Sequence, residues 1–468
     1  MTRLPVPTDD RVAAEELAQA MVEAARRAGA SAADATVGLS ASLSASARDF
    51  AIEDITRSQS RAAAIRVVVD GKLGFATSSD APRNADEIDE LARTAVGLAR
   101  LASESAHNVI LPGAALSADE ARAAGDDLLL WDDETALLDP TWATDRALAM
   151  ERIVRGHDGV TGVRDVAVGL RRGVLALATS TGFLGSTRGT TASLSCSAVV
   201  QDGQGGKLQV ESWWAAARAM SRLPESATVA NEAARRALSR RGARAIPSGT
   251  MPVIFDPGMA RGFFAGVIGA LSGGAVARRQ SWLADGLGEV IMPTGTVLLD
   301  DPLLPGGFAS RIFDGEGQAS RRQVIIDDAG RLLTFLLDAR SAARLGKSST
   351  GHASRGATSL PHPSSTNTTL SGGQGDLSSI VGETGRGLLV TRLLGRGADP
   401  TTGELSRGAA GYLIEDGVIG APVEGVTIAG NARDMLRDID RVGADVDERS
   451  ALRVPTIRFA SLSVGGTA

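Results

Sequence analysis

The chain of 468 residues contains a single cysteine, Cys196, and aromatic residues make up only 3% of it. One thiol excludes an intrachain disulfide, which fits a reducing compartment. Because large rings are scarce, the cores must be built from alanine, valine, leucine and isoleucine in close contact. Glycine, in contrast, is abundant with 55 residues, which predicts many turns and hairpins.

Long apolar runs and clusters of positive charge are also missing. No stretch approaches the ~20 apolar residues of a membrane helix, and the first ten residues lack the apolar core of a signal peptide. We therefore expect a soluble, cytoplasmic protein without a membrane partner. The net charge is −6 and only three of the 49 basic residues are lysines. The absence of a basic block argues against nucleic acid as a partner.

Length and pattern predict an α+β protein with two domains. Residues 1–244 are interpreted as an N-terminal α/β domain with an antiparallel or mixed sheet, in sub-units at about 10–105 and 143–244. Residues 245–468 are interpreted as a β-rich domain with long glycine-rich loops. The loop 346–375, rich in serine and threonine, has a length typical of functional or disordered segments.

Apolar spacing, caps and turn residues predict individual elements. A helix ends near Arg27, and another begins at Asn84. A hairpin is predicted at Asp70-Gly71, since this pair suits a type I′ turn. The remaining predictions are a strand pair at 35–40 and 43–52, strands at 163–168, 174–179, 182–188, 192–200 and 208–215, a polar connection at 106–143, and helices at 145–155 and 226–240.

Zinc-binding spacing is absent among the four histidines. A zinc helix needs two ligands three to five residues apart, whereas the closest pair, His352 and His362, lies ten apart in the long loop. Both are interpreted as loop residues. A site assembled from them and distant carboxylates remains an open alternative. Cys196, in an alternating strand, is interpreted as a small buried hydrophobe rather than a nucleophile.

A segment of small residues near the C-terminus allows two interpretations. Arg407, Gly408, Ala409, Ala410 and Gly411 carry little side-chain volume, so another backbone can approach closely. The segment is either packed against neighbouring strands, or it is an open strand edge that pairs with an extended peptide.

Several segments in combination resemble the TldD/PmbA (TldD/TldE) family, in particular its PmbA/TldE-type members, over about residues 10–466. They are residues 304–307, 313–317, 350–353, 399–412 and 422–431. The resemblance implies a bacterial cytosolic peptidase of two related subunits. Its TldD-type subunit binds zinc through a His-Glu-x-x-x-His motif on a helix and through a cysteine near the C-terminus, and it cleaves unstructured peptides.

This chain departs from the metal-binding pattern at both places. An ungapped register puts Phe264, Ala265 and Gly269 at the three motif positions, and none can bind a cation or move a proton. The corresponding C-terminal segment, 447–455, has no cysteine. The resemblance therefore implies a subunit without catalytic residues, metal or cofactor of its own.

The implied partner is a TldD-type metallopeptidase subunit that carries the zinc, in a hetero-oligomer, with self-association as a further option. Activity on a peptide substrate is expected only in that complex. Two alternatives stay open: a peptide-binding or scaffold homodimer without an enzymatic partner, and a peptidase with an unrecognised site.

Overall fold

The structure is a computed structural model that describes residues 10–202 and 206–466. Its helices are α1 (Asp10–Arg27), α2 (Ala85–Leu101), α3 (Ala118–Asp127), α4 (Asp133–Ala136), α5 (Pro140–Arg155), α6 (Ser226–Leu238), α7 (Pro257–Ala270), α8 (Gly273–Ala277), α9 (Ala339–Arg344), α10 (Leu377–Gly382) and α11 (Ala432–Arg437). None of these described helices is long and apolar enough to cross a lipid bilayer.

The strands form mostly antiparallel sheets, which confirms the α+β class. They are β1 (Ala32–Arg48), β2 (Ala51–Val69), β3 (Lys72–Ser78), β4 (Val160–Thr179), β5 (Leu184–Gln201), β6 (Leu208–Ala217), β7 (Gly249–Phe255), β8 (Val297–Asp300), β9 (Gln323–Ile326), β10 (Ala353–Ser354), β11 (His362–Pro363), β12 (Thr368–Ser371), β13 (Arg386–Leu394), β14 (Glu404–Glu415), β15 (Val418–Asn431), β16 (Ile439–Val442), β17 (Leu452–Arg453) and β18 (Ile457–Gly465).

One antiparallel sheet of six strands, in the order β3-β2-β1-β4-β5-β6, supports the first half of the chain. Alternate residues of β1, from Ala33 to Ala47, are apolar and buried on one face, as expected for a strand with one covered side. On that face α1 and α2 pack against one end of the sheet, and α5 and α6 pack against the other. The sheet is thus continuous across both predicted sub-units.

Three predicted strand breaks are wrong. Residues 35–40 and most of 43–52 form one strand, β1, and the chain turns only at Asp49 and Phe50, where φ is 51° and 63°. Likewise, 163–168 and 174–179 belong to β4, and 182–188 and 192–200 largely to β5. Glycine does not end β4 at Gly173, because there it admits the neighbouring backbone: a Cβ would lie 3.2 Å from the carbonyl oxygen of Leu39.

Predictions based on turns and caps agree better with the structure. The Asp70-Gly71 hairpin is confirmed, with φ of 48° and 72°. The Asn84 side chain caps α2 by accepting a hydrogen bond from the Glu87 amide at 3.0 Å. The connection 106–143 is not irregular throughout, because it contains α3, α4 and the start of α5. Helix α5 begins at Pro140, before the predicted 145, since proline suits the first helical turn.

The second half contains a closed barrel. Strands β15, β14, β13, β7 and β18 are neighbours in that order, and a β15–β18 pairing closes the ring. A smaller sheet, β17-β12-β8-β9, lies beside it, and α7 packs into the hydrophobic cluster shared by both. The loop 346–375 contains β10, β11 and β12.

Buried charges join the two halves. On the face of the first sheet opposite its helices, Asp34 pairs with Arg66 and accepts a hydrogen bond from Arg355 at 2.6 Å. Arg66 also donates to Glu316 at 3.1 Å. Burial acts in the opposite direction, but Arg355 and Arg66 together lower the pKa of Asp34. Because removing one partner of such a cluster leaves a buried charge uncompensated, these residues hold the halves in a defined arrangement.

Candidate functional site

Helix α7 carries the positions at which the family resemblance places a metal motif. It follows the buried strand β7, and Asp256 caps it by accepting a hydrogen bond from the Met259 amide at 2.9 Å. Pro257 occupies the first helical position. An acidic cap followed by proline starts a helix at a defined residue, so α7 is placed by local sequence.

None of the three motif positions presents a metal donor. Phe264 is 0% exposed and its ring packs edge-on against Phe263, with centroids 5.7 Å apart. Ala265 and Gly269 are exposed, and a Cβ added at Gly269 would meet no atom within 4 Å.

These side chains do not fit a zinc ion, which requires nitrogen, sulfur or oxygen ligands. Across residues 10–202 and 206–466, no group of three or more His, Cys, Asp or Glu side chains is placed to hold a metal. The expectation that the chain has no cofactor of its own stays a prediction.

The strand edge expected at residues 407–411 is not open. These residues lie in β14, which pairs with β13 on one side and β15 on the other. A Cβ at Gly411 would overlap the carbonyl oxygen of Leu389, so the small residue is required by close packing. No free edge is left for a peptide at Gly408, Ala409, Ala410 and Gly411, whereas Arg407 lies just beyond the last β13 pair and pairs with Ile428 of β15 alone. Any other peptide contact of these five residues stays a prediction.

The two loop histidines do not form a joint site. His352 is buried, with its Nε2 3.2 Å from an Asp300 oxygen and its Nδ1 2.8 Å from the Thr350 hydroxyl. His362 is exposed in β11, where it pairs with Ser354 of β10. With a single carboxylate and no second histidine, His352 is a hydrogen-bonded core residue.

The structure reveals a cleft beside the start of α7, with a volume of about 450 Å³. All five residues from 210 to 214 line it, because β6 is the edge strand of the first sheet and leaves one side uncovered. The other walls are the first turn of α7, Thr391 and Arg392 of β13, and residues 445–449. The cleft therefore lies between the two halves of the chain.

Arginines stacked on two tryptophans form one wall of the cleft. The Arg449 guanidinium lies 3.7 Å from the centre of the Trp213 ring and 5.1 Å from that of Trp214. Asp447 binds Arg449 at 2.8 Å and Arg261 of α7 at 3.1 Å. The segment that lacks the family's cysteine thus contacts α7 through an ion pair.

The carboxylates of the cleft differ in their tendency to hold a proton. Burial raises the pKa of Asp256 despite its ion pair with Arg236. Burial also raises the pKa of Glu211. For Asp447, burial acts in the opposite direction, but the hydrogen bonds from Arg449 lower its pKa. Asp447 accordingly favours the ionised form in which it pairs with Arg449 and Arg261.

Sequence reasoning does not predict this cleft. Its clearest sequence signal is the doublet Trp213-Trp214 in a chain with only five tryptophans. The arginines come from segments far apart in sequence, and only the fold brings them together.

Three family models cover most of the chain. They are described as PmbA/TldA metallopeptidase domain 1, central domain and C-terminal domain, and they match residues 33–99, 134–241 and 248–466. Metalloprotease PmbA of Escherichia coli O157:H7 is 32% identical over 93% of this chain and 92% of its own length. A PmbA homolog of Haemophilus influenzae is 31% identical over 97% and 96%.

More distant similarities agree with these matches. A TldD homolog of Haemophilus influenzae is 29% identical over 51% of this chain and 53% of its own length. The crystal structure of TldE from Thermococcus kodakarensis shares the fold, with a TM-score of 0.84 at 22% identity over 95% of this chain and 99% of that one. The family models and the full-length relatives lead to one conclusion: the chain belongs to the PmbA/TldD metallopeptidase family.

Proposed function

We propose that this chain is the metal-free, PmbA/TldE-type subunit of a two-subunit peptidase that cleaves unstructured peptides, and that a TldD-type partner supplies the zinc. The observation that carries the proposal is the chemistry of α7. Phe264 is an apolar core residue, and Ala265 and Gly269 have no donor atoms.

Zinc-dependent hydrolysis needs a metal-bound water with a pKa near 7 and a nearby carboxylate that acts as a base. The carboxylates closest to the start of α7 already have other roles. Asp256 caps the helix and binds Arg236, and Asp447 is bound by Arg261 and Arg449. A metal or a metal-bound water would have to compete with these bonds for either carboxylate.

The remaining contribution is architectural. The cleft beside α7 offers the edge strand β6, two indole rings and several guanidiniums, which suit a peptide in extended form. Two carbonyls of this edge, of Val210 and Trp214, accept hydrogen bonds from the side chains of Arg392 and Arg449. In the proposed complex, this surface forms part of the wall of a closed chamber, and the chain stabilises the subunit that carries out the chemistry.

The test compares the chain alone with the chain co-expressed with a TldD-type protein that carries His-Glu-x-x-x-His. Particle mass, zinc per chain and hydrolysis of an unstructured peptide are measured for both. We expect no zinc and no hydrolysis for the chain alone, and a larger, zinc-containing, active particle for the pair.

The matched control is the same pair with the partner's motif glutamate replaced by glutamine, which should assemble and bind zinc but lose hydrolysis. Stoichiometric zinc together with peptide cleavage by the lone chain would refute the proposal. Failure of the two proteins to associate would refute the proposed two-subunit complex.

A further inference from the structure

We propose that the cleft beside α7 binds a peptide carboxylate, held by Arg164 and Arg392, with a neighbouring apolar side chain against Trp213 and Trp214. This inference rests on the proposed function, because it names the chemistry of the peptide that the wall accepts. The cleft volume of about 450 Å³ lies within the range of small-ligand and peptide pockets.

Three of the four acidic groups of the cleft are already bound by protein donors. Asp447 is paired with Arg261 and Arg449. Asp445 accepts hydrogen bonds from the amide and the hydroxyl of Thr456, at 3.0 and 2.7 Å. A cationic ligand would have to displace these bonds.

The two further carboxylates of the cleft differ from each other. Asp256 accepts hydrogen bonds from the Met259 amide and from Arg236. The Glu211 carboxylate accepts no hydrogen bond from the described residues, but its Oε1 is buried, 3.8 Å from Arg240 and 3.9 Å from Arg392, and its side chain is only 11% exposed.

The arginines at the rim, in contrast, have N–H groups without a hydrogen-bond partner. The side chain of Arg164 is exposed and makes no hydrogen bond or ion pair with any residue of the described ranges. Arg392 has a side chain that is 42% exposed, and it donates one hydrogen bond, to the Val210 carbonyl at 3.3 Å. The cleft therefore has unused N–H groups at its rim, whereas three of its four carboxylates are hydrogen-bonded and the fourth, Glu211, is only 11% exposed and lies near two guanidiniums.

Both arginines lie at irregularities in their strands. The register of β4 against β5 shifts between Val163 and Asp165, so Arg164 is the extra residue of a bulge. The register of β13 against β14 shifts between Val390 and Arg392, so the residue between them is extra and Arg392, paired with Ala410, directly follows it. A β-bulge redirects side chains and is frequent beside functional sites. Here two bulges, in different sheets, border the same cleft.

The geometry of the groups favours a carboxylate with an apolar neighbour. A guanidinium binds a carboxylate through two parallel hydrogen bonds, and such charge-assisted bonds are stronger than neutral ones. The half-buried indole rings, over which the guanidiniums of Arg449, Arg236 and Arg261 also lie, add aromatic surface to the wall. The carboxylate has two sources in a peptide: its C-terminus, or the side chain of an internal acidic residue.

The experiment is a calorimetric titration of the full-length, metal-free chain with three capped peptides. All contain alanine and phenylalanine; the first ends in a free carboxylate, the second in an amide, and the third ends in an amide but carries an internal glutamate. We expect the first or the third to bind at least roughly tenfold more tightly than the second, as for a charge-assisted hydrogen bond. Which of the two binds identifies the source of the carboxylate.

The variant Arg164→Gln with Arg392→Gln should weaken that binding by at least roughly tenfold. Both side chains are solvent-exposed, so the variant should fold, which its melting temperature will show. The matched control is Arg93→Gln, an exposed arginine of α2 far from the cleft in sequence, which should leave affinity unchanged.

Equal affinity for all three peptides, no saturable binding, or unchanged affinity of the double variant would overturn the inference. So would equally tight binding of inorganic phosphate, since the site would then select any anion. Zinc content and hydrolysis, measured on the same preparations, separate the two claims. If the chain is metal-free and inactive and does not bind the carboxylate peptides, this inference alone is refuted. If the chain contains zinc and hydrolyses peptide, the proposed function is refuted.

Discussion

Phe264 and Gly269, five residues apart on α7, point in different directions. The Phe264 side chain is fully buried, whereas Gly269 faces open space. In α7 as it stands, position 264 lies inside the core and position 269 faces open space, so side chains there do not converge on one ion, and the helix serves packing.

Replacing these two residues by alanine should have opposite effects on stability. Phe264→Ala should lower the free energy of unfolding by about 3–5 kcal/mol, because it leaves a cavity in the aromatic cluster. Gly269→Ala should raise it by up to about 1 kcal/mol, because alanine is the better helix former and no atom lies within 4 Å of the new Cβ. Urea unfolding of both variants measures the changes. A stabilising Phe264→Ala would contradict the assigned packing.

Introducing the motif of the catalytic subunit should not create a zinc site. The triple variant Phe264→His, Ala265→Glu and Gly269→His would place one imidazole in the core and the other in solvent. We expect no stoichiometric zinc by elemental analysis and a melting temperature below that of the parent chain. The single variant Gly269→His, whose side chain meets no neighbour, is the control for stability. One tightly held zinc per triple-variant chain would show that α7 is oriented differently.

The single thiol should be inert in the native protein. Burial, with a smaller contribution from Asp165 and Glu151, raises the pKa of Cys196 to about 12. Because the thiolate is the reactive form, a thiol reagent at pH 8 should not modify the folded chain. After unfolding in guanidinium chloride it should modify one thiol per chain, and a Cys196→Ala variant should give no signal in either state. Rapid modification of the native chain would disprove this prediction.

The buried carboxyl of Glu316 should make stability depend on pH. Burial raises its pKa from 4.5 to about 7, although Arg66 opposes the shift. A group whose pKa is raised in the native state stabilises the fold fully at pH values below its pKa in the unfolded chain, 4.5. This contribution is lost as the pH rises through about 7.

The matched variant Glu316→Gln keeps the shape of the protonated side chain but cannot ionise. Its melting temperature relative to the parent chain should therefore increase between pH 5 and pH 8, and differential scanning calorimetry across this range measures it. A difference that stays constant or decreases would show that Glu316 is ionised throughout.

Local sequence was sufficient for the elements that local interactions determine. Helix α2 follows from its Asn84 cap, and the hairpin at Asp70-Gly71 follows from a pair of residues that tolerates positive φ. Strand ends were predicted poorly, because glycine and polar residues within β1, β4 and β5 were interpreted as breaks. Whether such a residue ends a strand depends on the neighbouring strand and on the face to which it points.

The candidate site likewise has one feature that the sequence determines and another that only the tertiary structure determines. The lack of donors at Phe264, Ala265 and Gly269 is a property of residue types, and the sequence alone establishes it. The cleft depends on the tertiary structure, because Arg164 and Trp213 of the first half meet Arg392 and Arg449 of the C-terminal half only when the edge of the first sheet packs beside α7. The tertiary structure likewise decided that residues 408–411 have no free edge, since pairing of β14 with β13 and β15 uses backbone groups that carry no residue-specific signal.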